Sequence, residues 1–192
     1  MARSNRRIEK VKRVLALRQP DLTVVLENIH DPHNVSAIYR TFDAVGAARI
    51  ELVYTTEPFP RIGKKSSSSA NKWLETRRHR SIAECVRLLH EEGFTILATR
   101  LGPETVSLYD VALNGKLAFV FGNEHRGVSD EAAATADRLI SIPMMGMIES
   151  LNVSVAAAVC LYEALRQRSN AGAYAIPKTS DFDQQVKEWL KR

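Results

Sequence analysis

Short apolar runs alternate with amphipathic helical segments along most of this chain, and this alternation limits the possible folds more than any other feature. Aliphatic and β-branched residues fill five short runs, at residues 22–27, 48–54, 94–99, 117–121 and 139–142. Apolar residues at helical spacing lie between them, as with Ile38, Phe42 and Val45. Strands that alternate with helices form parallel sheets with helices on both faces. The sequence therefore predicts an α/β fold with a mostly parallel sheet.

Capping and breaking residues set the expected ends of the helices. Asp31 followed by Pro32 is typical of a helix start, and Gly46 is expected to end that helix. Ser81 predicts a second start, with Gly93 as its stop. Further helices are expected before Pro20, at residues 129–136 and 151–168 and from about residue 180, with a loop at residues 55–71. We expect a basic helical extension at residues 1–20, a central domain at 21–170 and a C-terminal helical extension at 171–192.

Two short segments carry most of the positive charge. Residues 1–20 and residues 61–80 each hold seven basic residues against one Glu, so that two segments of +6 in a chain of +5 leave −7 for the remainder. Concentrated positive charge suits a polyanion, because phosphates release counterions when they are neutralised. Solvated surface charge is the alternative. The residues expected to contact nucleic acid are Arg6, Arg7, Lys10, Arg13, Lys64, Lys65 and Lys72.

Several classes of protein are excluded by composition. Cys85 and Cys160 are too few for a disulfide framework, and a reducing compartment is expected. His30 and His33 lack a third ligand nearby, so no metal site is expected. The longest apolar run, residues 155–162, is shorter than the roughly 20 residues that a membrane span requires. We therefore expect a cytoplasmic protein that binds neither a metal nor a membrane.

Three loops that follow predicted strands are rich in polar residues: residues 28–34, which lead to Arg40, residues 119–127 and residues 142–154. In open α/β sheets, ligands bind beyond the carboxyl ends of the strands, where these loops are expected to meet. A GxGxxG fingerprint is missing, and Val128 follows Gly127 where a P-loop has lysine. The residues alone indicate a ligand-binding α/β domain that contacts polyanions.

The same three segments, in this order, resemble the motifs of the SpoU/TrmH family of SPOUT RNA 2′-O-methyltransferases. The resemblance covers about residues 22–168, and it implies transfer of a methyl group from S-adenosyl-L-methionine to a ribose 2′-hydroxyl. The two helical extensions are similar to a subgroup that methylates tRNA, with guanosine 18 of the D-loop as the expected target. The matching residues are Asn28, Pro32, His33, Asn34, Arg40 and Thr41, then Phe121 to Glu124 with Gly127 and Val128, then Ile142 to Met144, Gly146 and Ser150 to Ser154.

The resemblance also implies features that periodicity does not reveal. Family members tie the C-terminal part of the sheet into a trefoil knot, although unknotted chains are the general rule. They are homodimers with the active site at the subunit interface, and residues 21–170 would form the catalytic domain. The positions that match cofactor-binding residues are Thr99, Gly122, Ile142, Met144 and Leu151.

Family motifs also supply the candidate catalytic residues, which are Asn34, Arg40, Glu124, Ser150 and Asn152. The family resemblance gives Arg40 the role of general base, but a charged guanidinium is better suited to stabilise the alkoxide that develops on the acceptor oxygen and to hold the phosphate. Asn34 is expected to position the substrate. Glu124 is expected to hold Arg or Asn side chains, either within its own chain or across a subunit boundary. Ser150 and Asn152 precede a helix, where free N–H groups suit an anionic group, and helix capping is the alternative role. Other RNA targets, the tRNA wobble position or ribosomal RNA, and a non-catalytic RNA-binding protein of the same fold remain open.

Overall fold

The computed structural model describes residues 5–60, 70–175 and 181–192. Its strands lie in the order β3-β2-β1-β6-β4-β7-β5, and every pairing between neighbours is parallel. The predicted parallel α/β fold is confirmed. In chain order the elements are α1 (Asn5–Ala16), β1 (Gln19–Glu27), α2 (Pro32–Ala44), β2 (Ala47–Val53), β3 (Glu75–His79), α3 (Ile82–Glu91), β4 (Thr95–Thr99), β5 (Val106–Ser107), β6 (Leu117–Phe121), α4 (Asp130–Thr135), β7 (Arg138–Ser141), α5 (Val153–Asn170) and α6 (Phe182–Lys191).

Helices cover both faces of the sheet because the strand side chains are apolar on both sides. One core cluster joins α2 and α5 to the sheet through residues such as Phe42, Phe119 and Leu161. The other joins α3 and α4 to the opposite face through residues such as Val25, Leu89 and Ala132. Continuous apolar runs of this kind are typical of parallel strands buried on both faces. The strands thus hold their carboxyl ends, and the loops that follow them, at one edge.

Later strands enter the sheet between earlier ones. β6 lies between β1 and β4, and β7 lies between β4 and β5. The loops after β6 and β7 therefore come close to the loop after β1, although they are about 90 to 120 residues away along the chain. The trefoil knot stays a prediction that rests on the family resemblance. No helix in the described part of the chain is both long and apolar enough to cross a membrane.

Strand β3, where the sequence pattern predicted no strand, is held at the sheet edge by charge. Glu51 is fully buried and accepts hydrogen bonds from Arg49 (2.6 Å) and Arg77 (2.8 Å), and His79 Nε2 lies 2.7 Å from it. Both arginines also contact Glu92 at the end of α3. A buried carboxylate requires such partners. The strand escapes prediction because its residues are charged and not apolar.

Helix α5 presents a different face to the core than the sequence suggested. The helical spacing of Leu151, Val155, Val159, Tyr162 and Leu165 predicts one buried stripe, but Leu151 precedes the helix, and Val155 and Tyr162 are 47% and 53% exposed. Small and aliphatic residues are buried instead, among them Ala157, Cys160, Leu161 and Ala164. The small residues among these allow the helix to lie close to the sheet, and Val155 and Tyr162 are left on its outward side.

The two terminal helices pack against each other. Val11 and Leu15 of α1 form a separate apolar cluster with Phe182 and Val186 of α6. Trp189 of α6 also stacks on Trp73, with ring centroids 5.1 Å apart. Helix α1 ends at Ala16, before Pro20, because β1 already begins at Gln19. The extensions therefore form one unit beside the beginning of the sheet.

A fully buried arginine fixes the C-terminal end of α5. Arg168 donates to the carboxylate of Asp21 at 2.7 Å, to the side chain of Gln19 at 3.2 Å, and to the backbone carbonyls of Leu113 and Gly115. The guanidinium thereby ties α5 to the start of β1 and to the segment that precedes β6.

Replacing Arg168 by methionine is expected to lower the free energy of unfolding by about 3 kcal/mol, because buried carbonyls and a carboxylate lose their donor. Urea unfolding followed by circular dichroism measures the difference. Arg87→Met is the matched control, since Arg87 lies on the exposed side of α3 and pairs with the exposed Glu91, and little change is expected there. Equal stabilities of the two variants would contradict this role of Arg168.

Candidate functional site

A cleft of about 1080 Å³ opens at the carboxyl ends of β1, β4, β6 and β7. This is where ligands bind in open α/β folds. The loops after β1, β6 and β7 border it, as the sequence predicted. Thr99, Gly122, Ile142, Met144 and Leu151, which match the family's cofactor-binding residues, all line this cleft.

A carboxylate from the loop after β6 holds the loop after β1. Glu124 accepts hydrogen bonds from the backbone N–H groups of His30 at 2.9 Å and Asp31 at 3.0 Å. It accepts a third from the side-chain amide of Asn34, at 2.9 Å. Asn34 is buried in the first turn of α2, which Asp31 caps through the N–H of His33. Glu124 thus holds an asparagine, as expected, and does so within its own chain.

The same network continues to the loop after β7. Asn152 donates its side-chain amide to the Oδ1 of Asn34 at 3.1 Å. The Oδ1 of Asn152 accepts from the backbone N–H of Ser154 at 2.9 Å, which caps α5. Asn34 therefore donates to one motif and accepts from another, so that its amide has a single orientation. Glu124, Asn34 and Asn152 join the three motifs in one chain of hydrogen bonds.

Glu124 is held in its charged form by these donors. Partial burial alone raises the pKa of a carboxyl group, but hydrogen bonds from Asn34 and from the N–H groups of His30 and Asp31 outweigh it. The pKa of Glu124 consequently lies below its usual range. A carboxylate with a low pKa and occupied lone pairs is a poor proton acceptor, so its role is to position the loop and Asn34.

Gly122 has no room for a side chain. A Cβ at this position would lie 2.0 Å from the carbonyl oxygen of Gly127, because the loop folds back on itself. Asn123 closes this turn: its Oδ1 accepts from the N–H groups of His125 and Arg126, and the backbone N–H of Gly127 donates to its carbonyl at 2.8 Å. The turn leaves Glu124 pointing at the loop after β1.

Two residues at the end of β1 have structural roles that the sequence pattern did not predict. Asn28 adopts a left-handed conformation with φ of 51°, and its side-chain oxygen accepts from the N–H groups of residues 55–57. Its backbone carbonyl accepts from Asn123 at 2.8 Å. Glu27 accepts from the N–H of Ser129 at 2.9 Å. Asparagine adopts this conformation more often than most residues do. An asparagine at the end of a predicted strand was therefore the one indication of this role in the sequence.

The remaining candidate residues are placed apart from this network. Ser150 lines the cleft and is exposed. Arg40 is exposed on α2, does not line the cleft, and makes no ion pair with the described residues. Lys64 and Lys65 lie outside the described residues. Arg6, Arg7, Lys10, Arg13 and Lys72 are on the surface. No group of three or more His, Cys, Asp or Glu within the described ranges is placed to hold a metal ion.

An apolar patch borders the cleft. It consists of Met145, Met147, Ile148, Val155 and Tyr162, and Met145 and Met147 are 94% and 99% exposed. Large apolar side chains exposed in this number beside a cleft are typical of an interaction site. Met145, Met147 and Ile148 belong to the same loop as Ser150 and Asn152, and Val155 and Tyr162 belong to the helix α5 that follows it.

Comparisons with known proteins agree on one family. The model of the SpoU rRNA Methylase family matches residues 21–162. A tRNA (guanosine(18)-2′-O)-methyltransferase of Thermus thermophilus is 45% identical in an alignment that covers 99% of this chain and 98% of that protein. The enzyme of the same name from Escherichia coli is 45% identical over 88% of this chain and 73% of that protein.

Solved structures give the same result. A TrmH/SpoU tRNA modifying enzyme of Aquifex aeolicus superposes with a TM-score of 0.89 at 36% identity, covering 96% of this chain and 94% of that one. The SpoU methyltransferase AviRb of Streptomyces viridochromogenes, solved in complex with AdoMet, superposes with a TM-score of 0.72 at 26% identity. That alignment covers 88% of this chain and 66% of the other.

The lowered pKa of Glu124 gives a pH prediction. A carboxyl group whose pKa is lower in the folded state stabilises the fold above its unfolded pKa, about 4.3, and this contribution is lost as the pH falls through the folded value. Glu124→Gln is therefore expected to reduce the free energy of unfolding at pH 7 and to differ less from wild type at pH 3. Urea unfolding at both pH values measures this.

The control is Glu131→Gln, which alters an exposed carboxylate of α4 and is expected to leave stability nearly unchanged at both pH values. A Glu124→Gln variant that loses as much stability at pH 3 as at pH 7 would show that the ionised carboxylate is not what holds the loop.

Proposed function

This chain belongs to the SpoU rRNA Methylase family, and from that membership we propose that it methylates the ribose 2′-hydroxyl of guanosine 18 in tRNA, with S-adenosylmethionine as methyl donor. The observation that carries the choice of substrate is the full-length match to a tRNA (guanosine(18)-2′-O)-methyltransferase, which covers 99% of this chain at 45% identity. That alignment includes both helical extensions and not only the α/β domain. The proposed location is the cytoplasm, where the substrate would be found.

The cleft suits the cofactor in size and chemistry. A volume of about 1080 Å³ accommodates a nucleoside joined to an amino acid. Ile142, Met144 and Leu151 offer apolar surface for an adenine ring, and Gly122 brings backbone to the cleft wall without a side chain. When bound, S-adenosylmethionine supplies an electrophilic methyl group on a sulfonium centre. A sulfonium needs no Lewis acid to release its methyl group, so we propose that no metal takes part.

Asn34 would position the acceptor ribose, and Asn152 lines the cleft proposed for the cofactor. The contact between the two side chains would set the position of the ribose relative to the cofactor. Their shared hydrogen bond of 3.1 Å fixes the distance between α2 and the start of α5. Glu124 holds Asn34 in this position. Orientation of two reactants in one geometry is a large part of the catalysis of transfer reactions.

Arg40 is proposed to stabilise the negative charge that develops on the acceptor oxygen. Deprotonating a guanidinium near pH 7 would cost about 8–9 kcal/mol, which argues against Arg40 as the base. A charged guanidinium directed at an oxyanion is an effective stabiliser. Because Arg40 lies outside the cleft of its own chain, we propose that it serves the cleft of a second copy. The apolar patch beside the cleft would form the contact between the two copies.

Methylation of ribosomal RNA is the second candidate function. A 23S rRNA (guanosine-2′-O-)-methyltransferase of Vibrio parahaemolyticus is 38% identical, but the alignment covers 81% of this chain and 63% of that protein. The tRNA enzymes match over more of their length, and this favours tRNA. Incubation of purified protein with unmodified tRNA, 23S rRNA and labelled S-adenosylmethionine, followed by mass mapping of nucleosides, tests the choice. We expect 2′-O-methylguanosine at position 18 of tRNA, and label at rRNA alone would overturn the proposal.

Arg40→Ala is expected to slow methyl transfer by at least about 10²–10³-fold, because the acceptor oxygen loses its stabilising charge. The affinity for S-adenosylmethionine, measured by calorimetry, is expected to change little. Arg87→Ala, which alters an exposed arginine of α3, is the control and should transfer methyl groups at the wild-type rate. A near wild-type rate for Arg40→Ala would contradict the assignment.

The exposed basic side of α1 is proposed to bind tRNA away from the chemistry. Deleting α1 would uncover Phe182 and Val186, so glutamine substitutions of Arg6, Arg7, Lys10 and Arg13 are the better test. For every phosphate that the protein no longer neutralises, the slope of log affinity against log salt should flatten by roughly 0.7–0.9. Turnover at saturating tRNA and low salt should be retained.

Lys12→Gln is the single-charge control for that variant, since Lys12 already pairs with Glu9 at 3.2 Å. An unchanged salt slope in the fourfold variant would mean that α1 is a packing element whose charges face water.

A further inference from the structure

Strand β3 places two consecutive arginines on opposite faces of the sheet, and the two have different surroundings. Arg77 is aligned with Glu51 and forms ion pairs with Glu51 and Glu92 on the face that α3 covers. Arg78 is aligned with Leu52 and lies on the face that α2 covers. The positive charge of Arg77 is therefore neutralised within the fold, whereas that of Arg78 is available.

An aromatic ring orients Arg78. Its guanidinium lies 4.7 Å from the ring centroid of Phe59, and its side chain is exposed. Phe59 is itself fixed by an edge-to-face contact with Tyr54, with centroids 5.0 Å apart. A guanidinium stacked on an aromatic face keeps its N–H groups free in the plane, where they can form paired hydrogen bonds to a phosphate.

Arg78 lies on the same side of the sheet as the catalytic network. It is the residue before the last of β3, at the carboxyl edge where the cleft opens. Burial raises the pKa of Tyr54, the Glu124 carboxylate raises it further, and Arg78 opposes the change. Phe59, on which Arg78 stacks, also contacts Tyr54, the residue that directly follows β2. Burial also raises the pKa of Tyr39, and the charge of Arg78 again opposes the change; Tyr39 directly precedes Arg40 in α2.

Two other arginines at this edge, Arg100 and Arg126, are paired with carboxylates. Arg100 contacts Asp130 at 3.0 Å, and Arg126 contacts Glu57 at 3.3 Å. Arg78 has no carboxylate partner among the described residues. Among the described residues the guanidinium of Arg78 contacts Phe59 and no carboxylate, which leaves its N–H groups open to an anion.

We propose that Arg78, oriented by Phe59, binds a backbone phosphate of the RNA close to the nucleotide that is methylated. The inference rests on the proposed function in taking RNA as the substrate, and it adds a contact surface separate from α1. The contact is to the backbone and not to a base. It therefore fixes the register of the RNA on the cleft and carries no sequence preference of its own.

Binding of unmodified tRNA to the full-length protein, measured by fluorescence anisotropy over a series of salt concentrations, tests the proposal. Arg78→Ala is expected to weaken binding roughly 3- to 10-fold near physiological salt and to flatten the salt slope by about 0.7–0.9. Arg78→Lys keeps the charge and should retain the slope. Phe59→Leu should weaken binding without changing the slope, because the charge stays but its orientation is lost.

Arg138→Ala is the matched control, because Arg138 is an exposed arginine at the opposite end of the sheet. Wild-type affinity and slope are expected for it. An Arg78→Ala variant that behaves like Arg138→Ala would overturn the proposal, as would an Arg78→Lys variant with the slope of Arg78→Ala. Circular dichroism confirms that each variant is folded.

Methylation of tRNA by the wild-type protein is measured separately from binding. If the wild-type protein methylates tRNA and Arg78→Ala binds tRNA as the wild type does, the proposed function stands and Arg78 is not an RNA contact. If Arg78→Ala has a reduced salt slope but the wild-type protein does not methylate tRNA, the proposed function is wrong and the RNA contact of Arg78 stands.

Discussion

The carboxylate of Glu124 is the contact on which the geometry of the cleft depends. It accepts two backbone N–H groups and one side-chain amide from the segment between β1 and α2. Without this carboxylate, those N–H groups would have to hydrogen-bond to water, and the side-chain amide of Asn34 would lose its acceptor. Since Asn34 also accepts from Asn152, a single ionised group sets the relative positions of three loops that are distant in sequence.

The order of the strands makes this contact possible. Because β6 is next to β1 and only β4 separates β7 from β6, the three loops leave the sheet within a span of four strands. Gly122 adds a steric condition, since only glycine allows the loop after β6 to fold back against Gly127. Asn28 adds a conformational condition: its left-handed φ is followed directly by the segment whose N–H groups bind Glu124. Packing positions the loops, and a few polar contacts then select one arrangement.

Much of this arrangement could be predicted from the sequence. The five apolar runs became buried strands, and Asp31 and Ser81 cap helices as expected. The cofactor-matching residues line one cleft. Periodicity could not reveal β3, because its residues are held by ion pairs and not by apolar burial. It also misplaced the buried side of α5, since outward-facing Val155 and Tyr162 follow the same spacing as core residues. The separation of Arg77 from Arg78 depends on strand pairing and is visible only in the fold.

A double-mutant cycle on Glu124 and Asn152 tests most directly whether the three motifs act as one unit. The two side chains do not touch each other, and Asn34 lies between them. Single-turnover rates of methyl transfer to tRNA would be measured for Glu124→Gln, Asn152→Ala and the double variant. We expect the double variant to be about as slow as the slower single variant, since breaking one link already releases Asn34. A double variant whose loss equals the product of the two single losses would contradict it.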